Sequence, residues 1–198
     1  MIQEKDIEAL FSKQLNAIQD YQLREKVIKT WISACEKGNW SSVDELKKMP
    51  FTMLTETLGV NFIEHTIAVT EGAAGLARAQ VETYRNLPYD INFDRIYAGG
   101  LLHDVGKLVE TEPDGSGGYR KSLSGKYMRH PISGAVLAAA EGIDEDILNI
   151  IACHSKEGDG RPQVIETIFI HQADFSAFNP LLMKQKGLLI EDKFQAEQ

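Results

Sequence analysis

Apolar side chains recur at steps of three and four along nearly the whole chain, and no alternating apolar–polar run is long enough to demand a sheet. Such a stripe is buried by packing one helix face on another, so the pattern predicts an all-α fold. Residues 4–19 place Ile7, Leu10, Phe11, Leu15 and Ile18 on one face. A second helix is expected over about 21–36, with Leu23, Val27, Ile28, Trp31 and Ile32 inward and Gly38-Asn39 beyond its end. Ser41 or Ser42 then caps a short helix through Val43, Leu46 and Met49, stopped by Pro50. A long helix is expected over 60–86, with Phe62, His65, Val69, Gly72 and Leu76 in one stripe. There the small residues Gly72, Ala73, Ala74 and Gly75 would let a neighbouring helix approach closely. Further helices fit about 93–110, 131–141, 144–155, 163–176 and 179–196. Residues 164–170 are rich in β-branched side chains, but their context favours a buried helix. One long irregular stretch, 111–129, remains, and long loops in compact domains tend to be functional. Without a clear linker, residues 1–59 read as a helical extension packed on a core formed by 60–198.

At 198 residues, with 43% hydrophobic and 25% charged side chains, the chain matches an ordinary globular domain and not a disordered one. Its 21 Lys+Arg against 29 Asp+Glu give a net charge of −8. That balance argues against an extended nucleic-acid partner, which needs clustered excess cations, but leaves room for a small phosphorylated ligand in a local positive pocket. No run approaches the roughly 20 apolar residues of a membrane span. The start, MIQEKDIEAL, carries Glu4, Asp6 and Glu8 where a secretory leader would be basic and then apolar. No membrane association and a cytoplasmic location are therefore expected. Cys35 and Cys153 read as two free thiols, not a disulfide framework.

The chemistry concentrates in five histidines: His65, His103, His130, His154 and His171. His103 is followed directly by Asp104 within AGGLLHDVGKL, and the segments RHPISGAVLAAAEGI, IIACHSKEGDG and HQADFSAF come later in order. Taken together, residues 60–175 strongly resemble the HD superfamily of metal-dependent phosphohydrolases. That resemblance implies an HD-domain helical bundle with an added N-terminal helical layer. It implies metal ligation by His65, His103, Asp104, His130, His154 and Asp174. Both middle histidines are present, which resembles the two-metal branch. One cation would be held by His65, His103, Asp104 and Asp174, and Asp104 would bridge to a second held by His130 and His154. Imidazole and carboxylate donors suit Fe, Mn, Zn or Co alike; Fe or Mn is the expected pair, with Zn, Co or Ni also accommodated. A hydroxide bridging two ions about 3.5–4 Å apart would attack phosphorus in line. Phosphate esters or anhydrides on a small molecule, for instance a nucleotide, are the expected substrates.

Lys107 follows His103 by four residues, and in the family this lysine contacts phosphate or the bridging water; the plain alternative is a solvated lysine at a helix end. Arg120, Lys121, Lys126 and Arg129 precede His130 with no acid from Gly115 to His130, a local reversal of sign that reads either as a phosphate-gathering lid or as a solvated loop. Arg129, beside a ligand, is the first choice among them. His171 either orients a ligand or packs. Glu157 and Arg161 either line the entrance or make turn and surface contacts. HSKEGDGRP faintly echoes the cyclic-di-GMP-cleaving HD-GYP branch, yet Ser155 and Arg161-Pro162 depart from its pattern. Two rival functions share these ligands: a mixed-valent di-iron oxygenase, and a nucleotide-sensing module without turnover. The first 59 residues, with Trp31 and Trp40, either cover the core or dock a partner, and a homodimer is compatible with them.

Overall fold

A computed structural model describes residues 1–190. Among them the architecture is helical, with one two-stranded hairpin. The all-α expectation holds because the three- and four-residue stripes do meet one another: buried side chains from Ile2 to Ala173 form one continuous apolar core.

The first helices contribute side chains to that core. Residues 4–19 are not one helix but two, α1 (Glu4–Leu10) and α2 (Ser12–Ala17), broken at Phe11 with φ −123° and ψ 26°. The break turns Ile7, Phe11 and Leu15 inward together, and the Phe11 ring packs 4.7 Å from that of Trp31. In α3 (Tyr21–Lys37) the first turn is closed by the Asp20 carboxylate, which accepts the backbone N–H groups of Gln22 and Leu23. Ser42 caps α4 (Val43–Leu46) in the same way through Glu45 N–H.

Asn61 and Glu64 form a reciprocal capping box that starts α5 (Phe62–Thr83). This helix packs chiefly against α6 (Phe93–Leu102) and α11 (Ile165–Gln185). Its buried line runs through Ala73, Ala74 and Ala77, while Leu76 is 44% exposed, so the stripe drawn through Leu76 is corrected. Close approach is achieved from the other side: a Cβ on Gly100 of α6 would stand 2.7 Å from Thr70 Oγ1, whereas one on Gly75 would meet nothing.

The expected helix over 93–110 is interrupted. α6 ends at Leu102, and a tight turn over 103–106, closed by Val105 N–H to Leu102 O and Lys107 N–H to Asp104 O, leads into α7 (Lys107–Glu110). The stretch 111–129 is more ordered than expected. It holds antiparallel β1 (Thr111–Pro113) and β2 (Tyr119–Lys121), with Glu112 opposite Arg120, and then α8 (Leu123–Tyr127) capped by Ser122. Strands of three residues are too short to leave a period in the sequence. There follow α9 (His130–Ala140), α10 (Glu145–Cys153) and a 3₁₀ turn (Lys156–Gly158). α11 then runs on through exposed Pro180, where the sequence suggests a break between 176 and 179. On the solvent side a proline removes one hydrogen bond without striking a packed neighbour. The end of the expected 179–196 helix, like the end of the 60–198 division, lies outside the described residues.

The two tryptophans tie the early helices to the rest. Trp31 Nε1–H donates to Leu101 O at 3.0 Å, and Trp40 Nε1–H to Leu108 O at 2.7 Å. Both acceptors sit near helix C-termini, where carbonyls lack a partner further along the helix. Cys35 is buried, which pushes its thiol up to about 12, and Cys153 is half-buried; both are free thiols. Among the described residues no helix is long and apolar enough to cross a membrane.

Candidate metal centre

Five chain segments bring their polar side chains to one buried point. His65 stands one turn into α5, His103 caps the end of α6, and Asp104 lies in the turn beyond it. His130 opens α9, His154 caps α10, and Asp174 lies on α11. Asp104 is the hub. Its Oδ2 lies 3.4 Å from His65 Nε2 and 3.3 Å from His103 Nε2, and its Oδ1 lies 3.1 Å from His130 Nε2 and 3.5 Å from His154 Nε2. Asp174 Oδ1 lies 3.1 Å from His65 Nε2. The donor atoms fall into two sets that share Asp104, His65–His103–Asp104 and Asp104–His130–His154, each within 4.8 Å.

The turn at 103–106 is what lets α9 reach this point. A Cβ on Gly106 would stand 2.1 Å from His130 O and 2.6 Å from Gly134 N. With φ −63° and ψ −19°, glycine is demanded here by space and not by backbone angle. Gly106→Ala is expected to cost about 1–3 kcal/mol by overpacking. It should also push His130 outward, and urea unfolding together with metal stoichiometry would check both effects.

The tautomers can be read from the partners. His103 Nδ1 lies 2.6 Å from Gly100 O, and His154 Nδ1 lies 2.8 Å from Ile151 O. His130 Nδ1 lies 2.7 Å from Glu110 Oε2. Carbonyls and carboxylates only accept, so each of these Nδ1 atoms carries the proton and each Nε2 presents a lone pair toward Asp104. His65 Nε2, His103 Nε2, His154 Nε2 and Asp104 Oδ1 are buried without a hydrogen-bond partner. Lone pairs facing a carboxylate repel one another unless a cation lies between them, so these residues fit divalent metal ions.

The electrostatics mark the two carboxylates of the cluster as anions. Burial opposes charge on Asp104, yet Lys107, His103 and His130 outweigh it and hold the carboxyl well below its usual range. Asp174 is likewise drawn down against burial, chiefly by His65, to about 2. Burial disfavours the charged form of His65 and of His130, but the facing carboxylates overcome it and raise both. At His154 burial prevails and lowers the value.

Beside the centre lies a cleft of about 110 Å³, lined by Phe51, Met53, Lys107, Lys121, Arg129 and His130 among others. Lys107 is not a free helix-end lysine. Its Nζ bonds Asp104 Oδ2 at 2.5 Å and Phe51 O at 2.6 Å. Arg129 Nε pairs with Glu157 Oε1 at 2.9 Å, and Ser155 Oγ donates to the other Glu157 oxygen, so these two residues meet across the rim. Arg120 pairs with Glu112 on the hairpin, away from the cleft lining. Arg161 is exposed and does not line the cleft. His171 lies behind the centre, its Nδ1–H donating to His154 O at 2.7 Å.

Two participants escape a reading of the sequence. Phe51 stacks on His65, with ring centroids 4.2 Å apart and 14° between planes, although it lies in a loop outside the motif-bearing region. Glu110 holds His130, and apart from its distance of seven residues from His103 it carries no signal separating it from 28 other acids. Burial resists ionisation of Glu110, but His130 and Lys121 bring it down to about 2.

A helical bundle carrying two His/Asp donor sets that share one aspartate has the chemistry to hold metal ions. Residues 62–177, more than half of the chain, match the HD domain family, and the chain belongs to it. That places it among the metal-dependent phosphohydrolases, which bind divalent metals. Among curated proteins it is 33% identical over 123 residues to Ribonuclease Y of Thermotoga petrophila, covering 62% of this chain and 20% of that protein. It is 32% identical over 123 residues to Ribonuclease Y of Pseudothermotoga lettingae and of Desulforudis audaxviator, covering 62% of this chain and 19% of each. The chain thus spans about a fifth of the length of the curated relatives it matches. No solved structure gives a significant match. These relatives overturn the expectation that an extended nucleic-acid partner is excluded, since the matching region lies within proteins named as ribonucleases. The physical reason is local: Lys107, Lys121 and Arg129 line the cleft whatever the net charge of the whole chain.

Proposed function

We propose that this chain is a metal-dependent phosphohydrolase that cleaves the phosphate ester of a nucleotide unit, whether free or within RNA. The observation that carries the reading is the group of partnerless buried donor atoms around Asp104. His65, His103, Asp104 and Asp174 would hold one divalent cation, and Asp104, His130 and His154 the other, with iron or manganese preferred. Two such cations supply Lewis acidity, activating water at neutral pH and neutralising phosphoryl charge.

The remaining work falls to side chains of the cleft. Lys107, kept rigid by the Phe51 carbonyl, offers its ammonium to a phosphoryl oxygen beside Asp104. Arg129 and Lys121 draw the anion in, and Glu157 keeps Arg129 aimed across the rim. His171 supports the backbone that carries His154. Arg161 is the weakest member of this set. Residues 1–59 act as a cover over the 60–198 core and lend it Phe51, in keeping with the tryptophan anchors. The relatives named Ribonuclease Y support an RNA phosphodiester as one form of the substrate.

The test is anaerobic purification with metal quantification, followed by reconstitution with Mn or Fe. An aryl phosphomonoester, an aryl phosphodiester, nucleoside phosphates and a labelled single-stranded RNA are then offered. Phosphate release or RNA shortening that needs metal and proceeds without O₂ is the expected result. Turnover that requires O₂ with no anaerobic hydrolysis would replace the reading by the di-iron oxygenase. A silent panel with tight nucleotide binding would replace it by a sensor.

A further inference from the structure

We infer that Glu110 is the positioning residue for the His130–His154 half of the centre, and that the segment 119–125 exists to hold it there; the inference rests on the two-cation reading above. The place of each histidine in its helix decides what its Nδ1 can reach. His103 and His154 lie at helix C-termini, so each finds an Nδ1 acceptor in its own helix, the carbonyl three residues back. His130 begins α9, and no earlier turn of that helix exists to supply one. The acceptor has to come from another element.

Glu110, only 6% exposed at the end of α7, supplies it. One oxygen, Oε2, accepts both the His130 backbone N–H at 3.2 Å and Nδ1–H at 2.7 Å. A single carboxylate thereby fixes the first residue of α9, the ring's rotation and its tautomer. The result is a lone pair on Nε2 at 3.1 Å from Asp104 Oδ1. Among the described residues His130 is the one histidine of this group with a carboxylate on Nδ1, and a charged acceptor makes an imidazole a stronger donor than a carbonyl does.

Glu110 is clasped in turn. Lys121 Nζ on β2 pairs with its other oxygen at 3.2 Å. Ser122 N–H donates to Glu110 O at 2.9 Å, and Ser122 Oγ–H donates to Val109 O. A Cβ on Gly125 would stand 2.4 Å from Glu110 O, so α8 lies directly against it. The ordered hairpin and short helix, found where an irregular loop was expected, thus meet at this one acid.

The experiment uses the whole chain, stripped by chelation and titrated with Mn²⁺ by calorimetry and by electron paramagnetic resonance. Wild type should take up two equivalents and show a spin-coupled pair. Glu110→Ala should keep the first equivalent and weaken the second about 10–100-fold, leaving an isolated Mn²⁺ signal. Glu110→Gln, whose amide oxygen still accepts, should fall between, and Lys121→Met should weaken the same equivalent less. These last two variants serve if the alanine variant folds poorly, with circular dichroism as the check. Both equivalents bound at wild-type affinity in Glu110→Ala, or both lost in parallel while the fold persists, would overturn the role. A wild type that binds one equivalent would remove the two-cation reading and this role with it.

Discussion

Asp104→Ala is expected to abolish metal uptake and turnover together. The four histidines of the centre all place Nε2 within 3.5 Å of one or other Asp104 oxygen. Among the described residues no other carboxylate serves both donor sets. Its removal leaves four imidazoles with no bridging anion and strands the Lys107 ammonium beside them. Breaking such a buried pair costs about 3–5 kcal/mol, so the metal-free variant should also unfold at lower urea. Asp104→Asn separates the two effects: the shape stays, while the anion needed to join two cations is gone. Metal analysis should then show near-complete loss with the fold kept, and turnover should drop by at least about 10³-fold. Full activity in either metal-depleted variant would eliminate the mechanism.

Lys107→Met should behave differently. The methionine keeps much of the apolar stem but loses the ammonium that lies between Asp104 and the cleft. Turnover should fall about 10²–10³-fold, the size of losing one electrostatic contact to a charge that develops in the transition state. Metal stoichiometry should be retained, because the donor atoms remain. The loss should appear in kcat more than in KM if the contact strengthens as the phosphoryl group is transferred. Unchanged kcat would assign Lys107 to holding the Phe51 loop instead.

The sequence reveals the parts of the centre that follow helical spacing or recur in a resembled order. His65 is found on an apolar helix face, and His103–Asp104, His130, His154 and Asp174 come in sequence, so the structure's gathering of all six was anticipated. The break after Leu102 was not. Val105 and Leu108 are both fully buried, so the apolar period runs straight across a turn that is no longer helical. The hairpin was missed because three-residue strands carry no readable alternation. Glu110 was missed because its meaning lies in a partner 20 residues away, at a helix start that creates the need for it. Phe51 sits in a loop, and its stacking on His65 depends wholly on tertiary packing. Net charge misled for a related reason, since a ligand responds to the few side chains at the cleft and not to a sum over the surface.

The tryptophan anchors have one further consequence. The chain has two tryptophans, and their indoles grip Leu101 and Leu108, one on each side of the His103–Asp104 turn. Intrinsic fluorescence therefore looks at this turn from both flanks. Emission on loading or stripping the cations becomes a label-free gauge of how firmly that short piece of backbone is set.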